Sequence, residues 1–140
     1  MIELKPAARI YVDTNIWIYY VEANPAFLPK VVAAFVKAND AQARLVTSEL
    51  AIAECLLRPA RQDDRTLVAL YERFFAEGDI EIVGLDGALA RRAALSGGPL
   101  GLKLIDAIHY LSAREGNCGY FLTGDGRFKS GAGMTVIGLD

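Results

Sequence analysis

The chain has 140 residues, of which 53% are hydrophobic, and its formal net charge is −2 at pH 7. This length predicts a single domain over residues 1–140, and the acidic balance argues against a protein that coats duplex nucleic acid through bulk positive charge. No apolar run approaches the roughly 20 residues that span a bilayer. We therefore expect a cytoplasmic protein without a membrane segment, and any contact with nucleic acid must come from local basic groups.

Short β-branched runs alternate with longer helical patterns along the chain, which is typical of strands and helices arranged around a parallel sheet. The predicted fold class is α/β, a three-layer α/β/α domain with a central, mostly parallel five-stranded sheet. The predicted strands are Arg9–Val12, Arg44–Thr47, Ile80–Val83, Tyr120–Thr123 and Thr135–Ile137.

Three helices are predicted in the first half of the chain. The first follows Thr14, which can cap it, and runs through Tyr20. Asn24-Pro25 is expected to open the second, which continues to about Ala38. Thr47 or Ser48 can cap the third, which is expected to stop at Pro59 because a proline disfavours helical geometry in the residue before it.

Three more helices are predicted in the second half. Asp63 or Asp64 opens the fourth, and Gly78 is expected to end it in a left-handed conformation. The fifth begins at Asp86 and ends at Gly97-Gly98-Pro99. The sixth is expected from about Leu102 to Glu115, ending at Gly116.

Four acidic residues stand where strands change to helices or turns. Asp13 follows the first strand and Asp125 lies just beyond the fourth, so both reach the same sheet edge if those strands are neighbours. Glu54 and Asp106 lie on helices that can pack beside that edge. Each acid alone has an ordinary explanation, as a helix N-terminal residue, an arginine partner or a turn residue. Together they indicate a functional site.

Several carboxylates in one place cannot all stay ionised without a cation, because like charges raise each other's pKa values. Only oxygen ligands are available, and Cys55 and Cys118 form no zinc-binding or disulfide pattern. Mg²⁺ or Mn²⁺ is therefore favoured over Zn²⁺. Such ions suit the hydrolysis of phosphodiesters by a metal-activated water.

Four segments of the chain together resemble the PIN domain family. Their order, their spacing and the chain length also resemble the compact VapC-type toxins of prokaryotic toxin-antitoxin pairs. The segments are Val12–Ile16, Ser48–Glu54, Leu102–His109 and Leu122–Phe128.

This resemblance implies a Mg²⁺- or Mn²⁺-dependent endoribonuclease that cleaves RNA, forms a homodimer and is neutralised by an antitoxin protein. It implies three residues that support the metal: Thr14, Asn15 and Thr123. It implies an acidic site that is both catalytic and metal-binding, formed by Asp13, Glu54, Asp106 and Asp125. One departure is visible, since many family members carry asparagine where this chain has Gly124. The turn before the last acid is therefore expected to be looser.

A histidine, an aromatic cluster and several basic side chains lie in or near the four segments. His109, one turn after Asp106, could bind the metal or carry a proton, but it is expected to form a hydrogen bond within the helical layer, because the proposed chemistry needs no histidine. The aromatic cluster at Trp17, Tyr19 and Tyr20 is expected in the core or, preferably, a dimer interface. Local basic groups that can contact nucleic acid are Arg58, Arg61, Arg65, Arg91, Arg92, Lys103, Arg127 and Lys129.

Two alternative functions remain open from the sequence. A phosphohydrolase similar to haloacid dehalogenases would use Asp13 as a nucleophile, but its Asp-x-Asp pattern is broken here by Asn15. A PIN-like binding scaffold without catalysis would usually have lost a metal ligand, and all four acids are present.

Overall fold

Five parallel strands form the centre of the computed structural model, which describes residues 3–131 and 133–139. The strands lie in the order β3-β2-β1-β4-β5, and every neighbouring pair is parallel. The sheet is therefore wholly parallel, and its strand order reverses beside β1. The strands are β1 (Arg9–Val12), β2 (Arg44–Ser48), β3 (Glu81–Val83), β4 (Tyr120–Leu122) and β5 (Thr135–Ile137).

Helices cover both faces of this sheet, which confirms the predicted three-layer α/β/α class. They are α1 (Thr14–Val21), α2 (Leu28–Asp40), α3 (Glu49–Arg61), α4 (Arg65–Glu77), α5 (Gly87–Gly97) and α6 (Leu104–Glu115). The first four contribute to one large core cluster, whereas α6 packs on the other face against Tyr11, Val46 and Phe121. In the described part of the chain, no helix is long and apolar enough to cross a membrane.

Trp17 lies in the core and not at a dimer interface. Only 1% of its surface is exposed, and its ring packs 5.6–5.7 Å from the rings of Phe35, Phe74 and Phe75. Its indole N–H donates a hydrogen bond of 3.0 Å to Thr47 Oγ1. The preferred prediction for this residue was therefore wrong, because α4 supplies an apolar wall that helical spacing alone does not reveal.

Two helix starts differ from prediction. Asp13, not Thr14, caps α1, since its carboxylate accepts a hydrogen bond from the Thr14 amide. The second helix begins at Leu28 and not at Asn24-Pro25. There the Asn24 side chain accepts hydrogen bonds from the amides of residues 26 and 27, which forms a turn before the helix.

Two helix ends also differ. The third helix continues past Pro59 to Arg61, because only one backbone donor is lost and the proline ring is buried in the core. Gly78 ends α4 with a φ of −70°, which is not left-handed. A Cβ atom there would lie 2.7 Å from the Phe74 carbonyl oxygen, so lack of space explains the glycine.

The sixth helix begins at Leu104, two residues later than predicted, with Lys103 as its N-cap. This helix carries both Asp106 and His109, which are buried. Asp106 lies in the first turn of this helix.

Candidate active site

Asp13 is fixed at the carboxyl end of the sheet. It follows β1, and its amide donates a hydrogen bond of 2.9 Å to the Leu122 carbonyl of β4. One carboxylate oxygen accepts from the Thr14 amide at 2.9 Å, and the other accepts from the Thr123 hydroxyl at 2.7 Å. Because β1 and β4 are neighbours, the sheet order itself brings Asp13 to the turn after β4.

That turn is held by hydrogen bonds despite Gly124. The Gly124 amide donates to Asn15 Oδ1 at 3.1 Å, and the Asp125 amide donates to Thr123 Oγ1 at 2.9 Å. A Cβ atom at Gly124 would lie 3.3 Å from the Tyr19 ring. The turn is therefore well fixed, in contrast to the looser turn expected from the sequence.

Glu54 reaches Asp13 from α3 through two shared neighbours. Its Oε1 accepts a hydrogen bond of 2.7 Å from the Thr14 hydroxyl and lies 2.6 Å from His109 Nε2. The same His109 nitrogen lies 3.7 Å from Asp13 Oδ1. Thr14 and His109 thus connect the acid of α3 to the acid after β1.

His109 belongs to a buried chain of hydrogen bonds that the sequence analysis did not foresee. Its Nδ1 lies 2.7 Å from the Tyr11 hydroxyl, which in turn lies 2.7 Å from Ser48 Oγ. Tyr11 and Ser48 are fully buried, and His109 is 3% exposed. The histidine therefore links α6 to β1 and α3, and not only to neighbours within the helical layer.

Asp106 and Asp125 form the second pair of acids, and Arg127 bridges them. Its Nη1 lies 3.1 Å from Asp106 Oδ2, and its Nε donates to Asp125 Oδ2 at 2.8 Å. The Arg127 amide also donates to Asp125 Oδ1 at 2.9 Å. The side chain of Arg127 is 54% exposed, whereas that of Asp106 is 11% exposed. A half-exposed cation thus neutralises an almost buried carboxylate.

The two acids of the first pair have opposite pKa shifts. Burial raises the pKa of Asp13 above its ordinary value, although the charge of His109 and the Thr123 hydrogen bond oppose that change. Burial also raises the pKa of Glu54, but hydrogen bonds from His109 and Thr14 outweigh it, and the net pKa is lowered. The two carboxylates therefore differ in electrostatic environment although they share His109 as a neighbour.

The second pair is governed by its arginine. The hydrogen bond from Arg127 is the main reason that the pKa of Asp125 is lowered. The pKa of Arg127 is raised, chiefly by its hydrogen bond to Asp125 and the charge of Asp106, with a smaller contribution from Asp13. All these charges therefore belong to one electrostatic network at the sheet edge.

The structure places the four acids as two pairs, each held by a cationic or donor side chain. Within residues 3–131 and 133–139, no three His, Cys, Asp or Glu side chains are grouped closely enough to hold a metal ion. The donor chemistry nevertheless fits Mg²⁺ or Mn²⁺, because carboxylate oxygens are their preferred protein ligands. Asp13 is also almost fully buried, with its two oxygens held by the Thr14 amide and the Thr123 hydroxyl.

Two members of this network were missed as site residues by sequence reasoning. Tyr11 occupies an apolar strand position, and nothing local signals its contact with His109. Arg127 was considered only as an RNA contact. Its position two residues after Asp125 could have indicated a contact with that acid, because an Asp-x-Arg turn permits the observed ion pair.

The PIN domain family model matches residues 10–133. None of the curated proteins compared with the chain matches it. Among solved structures, Mycobacterium tuberculosis VapC20, a toxin that cleaves the sarcin-ricin loop, is similar with a TM-score of 0.71 and 15% identity. That match covers 84% of this chain and 91% of the other.

Two complexes are also similar. VapBC2 from Rickettsia felis, bound to a promoter DNA fragment, matches with a TM-score of 0.67 and 15% identity over 93% of this chain and 98% of the other. FitAcB from Neisseria gonorrhoeae matches with a TM-score of 0.56 and 20% identity, over 83% of this chain and 87% of the other. At such low sequence identities, these matches show similarity of fold alone. Because the family model spans most of the sequence and the wholly parallel sheet agrees with it, the chain belongs to the PIN domain family.

Proposed function

We propose that the chain is a VapC-type toxin, a metal-dependent endoribonuclease that cleaves RNA in the cytoplasm. One observation carries the proposal: the four acids lie as two pairs, each joined by short side-chain contacts, at the edge where the strand order reverses. Ligands of parallel α/β sheets bind at such edges. The similarity to VapC20, a toxin that cleaves the sarcin-ricin loop, supports RNA as the substrate.

Asp13, Glu54, Asp106 and Asp125 would hold Mg²⁺ or Mn²⁺ in this proposal. When bound, the ion supplies the positive charge that activates water and stabilises the leaving oxygen of the phosphodiester. Arg127 would then leave Asp106 and Asp125, and its exposed side chain has room to do so. Its guanidinium would be free to pair with a phosphate of the RNA.

The polar neighbours would position the acids. Thr123 and Thr14 donate to the two oxygens of Asp13, and Asn15 holds the turn that presents Asp125. The hydrogen bond with His109 lowers the pKa of Glu54. These hydrogen bonds fix the orientation of the carboxylate oxygens. Metal-dependent hydrolysis requires ligands that are positioned in this way.

We further propose that an antitoxin protein neutralises this chain and that the active form is a homodimer. Similarity to chains of toxin-antitoxin complexes supports the antitoxin. Co-purification with the product of an adjacent small gene tests this partnership. Sedimentation of the purified protein, alone and with that product, measures the oligomeric state.

Expression in a bacterial host tests the toxin activity. Wild type is compared with Asp106→Asn and with Asp40→Asn, a matched change at an exposed acid on α2. We expect growth arrest and new RNA 5′ ends from wild type and Asp40→Asn, but not from Asp106→Asn. Equal growth of all three strains, with no new RNA ends, would contradict the proposal.

The Arg127 contacts favour one alternative, a PIN module that binds partners without catalysis. In that case the arginine would be a permanent counter-ion of Asp106 and Asp125, and no metal would replace it. Calorimetry with Mn²⁺ distinguishes the two functions, because the scaffold predicts no saturable binding even at millimolar metal.

A further inference from the structure

A groove with a volume of about 590 Å³ opens directly beside the acidic site. The turn before α6 forms one wall, the segment after Asp125 forms the other, and both Asp106 and Arg127 line it. This volume lies within the range of roughly 300–1,000 Å³ that is typical of small-ligand pockets. The groove therefore has room for one nucleotide unit.

Both walls are fixed. On one side Lys103 caps α6, its carbonyl accepting from the Ala107 amide at 2.9 Å. On the other side Phe128, which is 7% exposed, packs 4.5 Å from the Phe121 ring. The Ser130 hydroxyl accepts from the Val136 amide at 2.9 Å. Residues on either side of Phe128 are thus presented from an anchored segment.

The charge of the groove is positive where the chain as a whole is slightly acidic. Lys103, Arg127 and Lys129 line it, with Asp106 as the acid among its lining residues. Both lysines are exposed, and in the described part of the chain neither forms an ion pair or a side-chain hydrogen bond. Two cations are therefore available to an anionic ligand on opposite walls.

An aromatic ring completes the groove. Tyr110 lies one turn after Asp106 on α6, and the Arg114 guanidinium lies 5.3 Å from the centre of its ring. Proteins that bind single-stranded nucleic acid combine aromatic rings, on which bases stack, with cations that contact the backbone. A groove lined by Tyr110, Lys103 and Lys129 has this composition.

We propose that this groove binds the nucleotide adjacent to the scissile phosphate of a single-stranded RNA, with Lys103 and Lys129 on phosphates and Tyr110 against the base. This inference rests on the proposed function, since it identifies the substrate strand of the same site. Tyr110 and the two lysines are positioning residues in this assignment.

Binding is measured without cleavage, so that the two proposals are tested separately. Wild type, Lys103→Ala, Lys129→Ala, Tyr110→Leu and Tyr110→Phe are titrated in EDTA with a short fluorescein-labelled single-stranded RNA of mixed sequence, using anisotropy. Lys30→Ala, at an exposed position on α2, is the matched control. Circular dichroism confirms that each variant is folded.

We expect each groove-lysine variant to bind the RNA about threefold to tenfold more weakly than wild type and to reduce the slope of log K against log salt by about 0.7. Tyr110→Leu is expected to weaken binding without changing that slope, whereas Tyr110→Phe and Lys30→Ala bind like wild type. A double-stranded RNA competitor is expected to displace the probe poorly.

The assignment is overturned if Lys103→Ala and Lys129→Ala bind the RNA as Lys30→Ala does. Poly-glutamate is titrated as a second probe. If the two lysine variants lose affinity for poly-glutamate and not for RNA, the groove is instead a site for an acidic protein segment. If binding depends on the lysines but the protein never cleaves RNA, the proposed function is refuted and the assignment of the groove as an RNA-binding site stands. If the protein cleaves RNA but binding does not depend on the lysines, the proposed function stands and the assignment of the groove is refuted.

Discussion

The Nε2 atom of His109 lies 2.6 Å from Oε1 of Glu54, and this contact joins α6 to α3 inside the candidate site. The other ring nitrogen of His109 contacts the buried Tyr11 hydroxyl. One side chain therefore connects the helix that carries Asp106 to the strand that ends at Asp13. The relative placement of the acids depends on this connection.

Replacing His109 with phenylalanine is expected to destabilise the protein. The ring has similar size, but Glu54 keeps only the Thr14 hydroxyl as a partner and the Tyr11 hydroxyl keeps only Ser48. We expect the free energy of unfolding to fall by about 1–3 kcal/mol, the usual cost of leaving buried polar groups unpaired. Urea unfolding measures this change, with Lys30→Ala as a control that leaves the midpoint unchanged. An unchanged midpoint for His109→Phe would contradict a structural role.

Arg127→Ala is expected to strengthen metal binding. The guanidinium and the metal compete for Asp106 and Asp125, and the ion pairs of an exposed arginine are weak because solvent screens them. We therefore expect Mn²⁺ affinity, measured by calorimetry without RNA, to rise by about twofold to fivefold. Arg127→Lys keeps the charge and is expected to stay near wild type. Weaker Mn²⁺ binding by Arg127→Ala would show that the arginine supports the metal site.

Gly97→Ala is expected to disturb the packing that orients α6. A Cβ atom at Gly97 would lie 2.4 Å from Ala107 Cβ, next to Asp106 in the sequence. We expect a loss of about 1–3 kcal/mol of stability, as found for overpacked cores. Gly84→Ala is the matched control, since nothing lies within 4 Å of a Cβ placed there. Equal thermal midpoints for the two variants would contradict this packing argument.

The two cysteine thiols are expected to be unreactive in the folded protein. Burial is the main reason that the pKa of Cys55 and that of Cys118 each rise to about 12. Raised thiol pKa values leave little thiolate near pH 8, and the thiolate is the reactive form. We expect slow reaction with a disulfide reagent in buffer and rapid reaction of both thiols in urea. Rapid native labelling of either cysteine would indicate local opening of the core.

The fold was largely predictable from sequence, but the order of the sheet was not. Short β-branched runs and polar caps such as Asp64 and Asp86 act locally, so the strands and several helix starts could be read directly. Strand pairing is non-local, and only the structure shows that β1 lies between β2 and β4. Pro59 was misjudged because burial of its ring, a tertiary effect, offsets a local preference.

The acidic residues of the candidate site could be predicted from the sequence, but the side chains that form hydrogen bonds and ion pairs with them could not. Asp13 and Asp125 could be placed at one sheet edge because both follow strands. The contact between Tyr11 and His109 joins residues 98 positions apart, and no periodicity indicates it. The Arg127 bridge depends on a side-chain conformation that sequence does not determine.

Metal-dependent cleavage of RNA by the purified protein tests the central claim most directly. Labelled single-stranded RNA is incubated with wild type, Asp106→Asn or Asp40→Asn, with Mn²⁺ and with EDTA. We expect cleavage by wild type and Asp40→Asn in Mn²⁺, none in EDTA, and a loss of at least about a hundredfold in rate for Asp106→Asn. Cleavage that persists in EDTA, or in Asp106→Asn at the wild-type rate, would contradict the four-acid metal site.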